Sequence, residues 1–255
     1  MEAAFALRPE VFVLALLFAS VRTAAALALL PAMGGQFIPL KVRIGLAGAV
    51  GLLVMGRVPP PADMLGFPGL LAVAGEILIG ATIALSLTAA FAAAGIAGEW
   101  LAQAMGLGFA TMVQPGAPAS PVIGMLTGLL MWALFLLSGG HLLLIRLIVE
   151  SYAAMPDASA LLRPDRIAHI LGWGGFALAS GVIVAMPLAI ALLLVNIGLA
   201  VAARSAPQLN LFSIGFPLML LAGLAGLPLA LPGIADGLQG ALSAMQQKAA
   251  EAILG

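Results

Sequence analysis

Charge is what this sequence has least of. Lys, Arg, Asp and Glu make up 8% of its 255 residues, where a soluble globular chain carries about 25%. The ten basic and ten acidic residues cancel, so there is no basic field to hold a nucleic acid. Cysteine is absent, which excludes disulfides, thiolate zinc sites and cysteine-held iron–sulfur clusters. The two histidines, His141 and His169, are too few for a histidine-rich metal or haem site. No HExxH, Walker lysine or nucleophile-elbow serine occurs. GLGFAT at 106–111 lacks the third glycine of a dinucleotide fingerprint and follows no strand, and GWGG at 172–175 fails in the same way. The composition predicts no enzyme, no cofactor and no metal.

What is present is apolar. The chain is 63% hydrophobic, with a mean hydropathy of +1.20. That predicts an all-α integral membrane protein, because an open chain in lipid satisfies its backbone only as helix. Thirty-one glycines and 17 prolines suit tightly packed, interrupted membrane helices. The hydrophobic segments number five to six: 11–33, the short 44–56, 68–94, 122–149, 167–203 and 211–232. Arg22 inside the first segment, and apolarity beyond AAALAL, argue against a cleaved signal peptide. Segment 44–56 falls short of the ~20 residues of an upright span and reads as half of a helical hairpin. Segment 167–203 would reach ~55 Å as one helix, so Pro187 is expected to kink or split it. Pro217 and Pro228 are expected to break the last segment, and 236–254 reads as a separate amphipathic helix. Residues 150–166 read as a polar loop. Six spans would put Arg8, Arg57, Arg163, Arg166 and Lys248 on one side and Lys41, Arg43 and Arg204 on the other. That excess puts both termini in the cytoplasm.

The stretch from Gly95 to Gly124 does not fit a plain span. It carries no charge beyond Met105, and its glycines and prolines rule out one long helix. Irregular backbone beside membrane segments must be buried in protein or line a cavity, so it reads as a re-entrant or gate-like loop. Four charges lie in or beside apolar segments: Arg22, Glu76, Arg146 and Glu150. Arg146 and Glu150 are four apart and can pair on one helix face. Such groups mark either an ion or proton pathway or salt bridges that fix assembly, with the bridge favoured. Asn196 suits a hydrogen bond across helices, and His141 a packing role.

Several stretches share one wording. Arg22 followed by PAMGGQFIPLKVR contains Pro31, Gly34, Pro39 and Arg43; GEWLAQAMGLGFATMVQP runs from 98 to 115; GGHLLLIRLIVESYAAMP carries Gly140, His141, Ser151 and Pro156; APQLNLFSIGFPLMLLAG spans 206–223. Together they resemble the FliR/SctT family of type III export-gate proteins over nearly the whole chain. Two positions depart from it: Gln114-Pro115 where Asp-Pro is common, and Met219 where Lys usually follows GFPL. IGFP is more similar to the flagellar branch than to the injectisome branch. The injectisome subunit is one alternative. A stand-alone small-solute transporter is the other, but the two related halves it should show are not visible.

The resemblance implies a subunit of the flagellar export gate in the bacterial inner membrane, within the flagellar basal body. Its implied partners are FliP and FliQ in a pore complex, FlhB and FlhA, unfolded flagellar export substrates and membrane lipid. It further implies bent helical hairpins, with a FliP-like part at 1–169, a FliQ-like hairpin at 170–232 and an amphipathic tail at 233–255. The implied pore plug is Met105, Gly106, Leu107, Gly108, Phe109, Ala110, Thr111, Met112, Val113, Gln114 and Pro115. Assembly or intramembrane charge roles fall to Arg22, Arg43, Glu76, Glu99, Arg146, Glu150, Asn196, Arg204, Pro207, Gln208, Asn210 and Pro217.

Overall fold

The computed structural model describes residues 9–30, 39–58, 60–61, 63–64, 66–108, 122–205 and 211–255, and among these no strand occurs. The helices are α1 (Pro9–Leu29), α2 (Leu40–Val54), α3 (Phe67–Ala104), α4 (Val122–Leu137), α5 (Gly140–Ala154), α6 (Pro164–Ser205) and α7 (Leu211–Leu254), with a 3-10 turn at Ala158–Ala160. The chain forms two compact units, one of residues 1–89, 138–174 and 244–255 and one of residues 90–137 and 175–243. Among the described residues, four helices are long and apolar enough to cross a membrane. The α4–α5 pair, taken as one broken span, is a fifth candidate. The short α2 is not among them and packs against α1, as expected of half a hairpin.

Four expectations change. Pro187 does not split α6, and Pro217, Pro228 and Pro232 all lie inside α7. The residues expected as a separate tail are the end of that 44-residue helix. Prolines are tolerated within membrane helices when neighbours take up the freed backbone groups. Segment 122–149 is two helices, because Gly139 adopts φ +71 and its carbonyl accepts from the Leu142 and Leu143 amides. The polar stretch after 149 is helical to Ala154. Asp157 then accepts the Ser159 amide at 2.8 Å and also the Ser159 hydroxyl. Both bonds hold the Asp157 carboxyl below the usual carboxylate range, the hydroxyl contributing most.

Helix contacts within each unit run through glycine. In the first unit, a Cβ on Gly80 of α3 would fall on the Arg22 carbonyl oxygen of α1, and one on Gly51 of α2 on the Ser20 hydroxyl. In the second unit, a Cβ on Gly98 of α3 would strike the Gly124 backbone and Thr127 on α4. There the Thr127 hydroxyl lies 2.8 Å from the Ala94 carbonyl. Phe91, Trp132 and Phe135 close the same seam edge to face, with centroids 5.8 to 6.3 Å apart. A Cβ on Gly181 of α6 would lie 2.7 Å from the Ala93 carbonyl oxygen, and one on Gly223 of α7 would strike Met105. Small residues let backbones approach where lipid supplies no hydrophobic drive.

Gly98→Leu should therefore destabilise the detergent-solubilised protein by about 1–3 kcal/mol through overpacking. Gly172→Leu, where a Cβ meets nothing within 4 Å, should leave it within about 0.5 kcal/mol. Thermal unfolding of both variants checks this, and equal melting would contradict the close α3–α4 contact.

Candidate functional sites

The first site is a buried charge centre in the first unit. Arg22 on α1 is 0% exposed and Glu76 on α3 is 3% exposed. They meet side-on, with Nε to Oε2 at 2.8 Å and Nη2 to Oε1 at 2.8 Å. The guanidinium also donates from Nη1 to the Ser151 hydroxyl at 3.0 Å and from Nη2 to the Met155 carbonyl at 2.9 Å. The Ser151 hydroxyl in turn donates to the Ile148 carbonyl at 2.7 Å. Tyr152 lays its ring 4.1 Å from the guanidinium carbon and donates to the Ala19 carbonyl at 2.6 Å. One cation thus joins α1, α3 and α5, and both carboxylate oxygens are occupied.

This geometry decides what the pair can do. A guanidinium that grips one carboxylate through two N–H groups makes strong, directional, charge-assisted hydrogen bonds. The arrangement is a clamp between helices. Sequence reasoning singled out Arg22 and Glu76 but did not pair them, and it missed Tyr152. The available signal was that Tyr152 is the only tyrosine in the chain, adjacent to Ser151.

The other charges differ in kind. Arg146 and Glu150 pair at 2.7 Å across one turn of α5, with side chains 71% and 39% exposed; screening at such a surface leaves the pair worth little. Arg43 is half-buried on α2 and its Nε has no partner among the described residues. Glu99, Asn196, Arg204 and Pro217 are exposed. Pro207, Gln208 and Asn210 lie outside the described residues. Among the described residues, no three His, Asp or Glu side chains converge to hold a metal.

The second site is the start of the stretch between α3 and α4. Helix α3 continues through Gly95 and Gly98 to Ala104, so the irregular part begins later than its glycines suggested. It ends in a glycine cap. Gly106 has φ +82, its amide bonds the Gln103 carbonyl at 2.9 Å, and the Leu107 amide bonds the Ala102 carbonyl at 3.0 Å. This paired pattern is the Schellman motif, which a residue without Cβ completes at least cost. Met105 is fully buried against Gly223, while Leu107 and Gly108 are half-buried. Phe109, Ala110, Thr111, Met112, Val113, Gln114 and Pro115 lie outside the described residues.

Removing one partner of a buried ion pair leaves the other uncompensated. Arg22→Met and Glu76→Leu alone should each cost about 3–5 kcal/mol of stability, and the double variant should recover most of it. Thermal unfolding of the three variants tests this. Additive losses would contradict the clamp.

Comparison with known proteins adds the family. Residues 13–245 match the family described as bacterial export proteins, family 1. The flagellar biosynthetic protein FliR of Pectobacterium carotovorum subsp. carotovorum is 34% identical over 83% of this chain and 82% of its own length. FliR of Escherichia coli (strain K12) is 32% identical over 84% and 83% of the two chains. FliR of Aquifex aeolicus (strain VF5) is 34% identical over 88% and 87%. The match leaves out only the first 12 and last 10 residues and takes in the clamp and the glycine-capped end of α3, so this chain belongs to the bacterial export proteins, family 1, the family of the flagellar biosynthetic protein FliR.

Proposed function

We propose that this chain is a subunit of the flagellar protein-export gate that forms part of a pore for unfolded flagellar proteins in the bacterial inner membrane. The observation that carries this is the family match over residues 13–245, with FliR relatives that cover most of the chain. Helix length supports a shared structure. At 1.5 Å per residue, α3, α6 and α7, of 38, 42 and 44 residues, reach ~57, ~63 and ~66 Å. A bilayer core of ~30 Å can cover only part of such helices. FliP and FliQ in a hetero-oligomeric complex, with FlhB and FlhA beside it, are the proposed cover. The FliP-like part at 1–169, the FliQ-like hairpin at 170–232 and the tail at 233–255 belong to this proposal.

Within it, residues 105–115 are the plug. An uncharged apolar stretch that follows a sharp helix stop can exclude water and ions by dewetting. Methionines at 105 and 112 add deformable side chains. Arg22 and Glu76 fix α1, α3 and α5 to one another, while the exposed polar groups at Glu99, Arg146, Glu150, Asn196 and Arg204 are assembly contacts.

Replacing 106–114 with Ser and Gly separates the readings. A plug predicts ion leak through a complex that still assembles, read as loss of membrane potential with normal co-purification. Lost assembly without leak would make the stretch a packing element. Unchanged export of flagellar proteins when the whole chain is deleted would overturn the gate reading.

A further inference from the structure

In the second unit, α3, α6 and α7 frame a groove of about 380 Å³. Trp100 and Gln103 line it from α3, Met186 and Asn196 from α6, and Met219 from α7; the rest of the wall is aliphatic or alanine. Glu99 and Gln103 lie one turn apart on α3, so they share a face. Both are exposed, as is Asn196, and Trp100 is 51% exposed. Neither Glu99 nor Asn196 has a side-chain hydrogen bond or ion pair among the described residues.

These side chains do not suit lipid. Asn196 is flanked by Leu193, Leu194 and Ile197, exposed by 55, 64 and 52%. From 167 to 203, α6 carries no Asp, Glu, Lys or Arg. An amide left unpaired in hydrocarbon loses its hydrogen bonds to water without replacement, and an unpaired carboxylate is costlier still. The aliphatic wall does not suit water either. On α6 the lining runs from Val182 to Asn196, or ~21 Å at 1.5 Å per residue, a length that matches about four turns of a helix laid along it. Glu99 is not itself in the lining but directly precedes the lining Trp100 and shares a face with the lining Gln103, and its carboxylate calls for a cation and repels a lipid phosphate.

We infer that this groove receives an apolar helix of a neighbouring subunit, which brings a lysine or arginine to Glu99 and a hydrogen-bonding group to Asn196. The inference rests on the reading of the chain as a gate subunit and adds which surface binds and by what chemistry. A helix in a groove gains from contact along its length, and the two polar groups set its register and choice of partner.

The absence of cysteine makes the test clean. Asn196→Cys, in native membranes that carry the complete export apparatus, is oxidised against single cysteines scanned along the apolar helices of the other subunits. The expected result is a disulfide to one helix, with adducts recurring every three to four positions. Glu99→Lys should cut recovery of the chain with that subunit about tenfold through like-charge repulsion, and reversal of the helix's own Lys or Arg to Glu should restore it. Asn196→Leu should also lower recovery. Wild-type recovery of both Glu99→Lys and Asn196→Leu would make the groove lipid-facing and overturn the inference. So would labelling of Asn196→Cys by a lipid-phase maleimide in place of any adduct, while a cysteine at Leu229, 85% exposed, still links to a subunit. If no cysteine on any face links to an export subunit, the gate reading itself falls with it.

Discussion

A charge that must be buried beside lipid has few ways to be stable, and the Arg22–Glu76 clamp shows one. The guanidinium directs N–H groups at both oxygens of Glu76, at Ser151 and at the Met155 carbonyl. It is net neutral with its carboxylate, and Tyr152 covers its face. A buried pair of this kind adds little stability over apolar residues of the same volume. What it adds is position: α1, α3 and α5 can meet in this register and in no slipped one without stranding a charge. The glycines act with it. Gly80 brings α3 onto the α1 backbone at Arg22 itself, so the close approach and the ion pair depend on each other.

The same scarcity of polar groups governs the helix ends. Among the described residues, positive φ occurs only at Gly106 and Gly139. One glycine stops α3 ahead of the central stretch and the other turns α4 into α5. Both are local solutions in which backbone groups are met by other backbone groups. They place abrupt changes of direction where lipid would not tolerate frayed turns. The long helices pose the opposite problem. At 38, 42 and 44 residues, α3, α6 and α7 outrun the hydrocarbon thickness. Membership of an export-protein family, and Glu99 and Asn196 without a side-chain partner among the described residues, fit a chain built for company.

Much of this was legible in the sequence because it depends on local composition. Low charge and long apolar runs gave the class, and the 44–56 segment read as half a hairpin, while the end of α3 lay ten residues beyond the expected 94. The family wording around 98–115 and 206–223 pointed to the relatives that comparison then supplied. What was hidden depends on distance along the chain. Arg22 and Glu76 are 54 residues apart, and nothing local pairs them. Pro187, Pro217 and Pro228 read as breaks because local rules count their lost hydrogen bonds, while packing around a long helix decides whether it continues. Gly139 was visible as a glycine, but its left-handed conformation was not, so α4 and α5 read as one segment.

The central claim is that this chain works only as part of a hetero-oligomeric gate. The most direct measurement is the mass and composition of the particle it forms when gently extracted from its native membrane. The account predicts a defined complex with other export subunits, in which this chain has a fixed stoichiometry. A stable, monodisperse monomer that supports flagellar protein export without bound partners would contradict it.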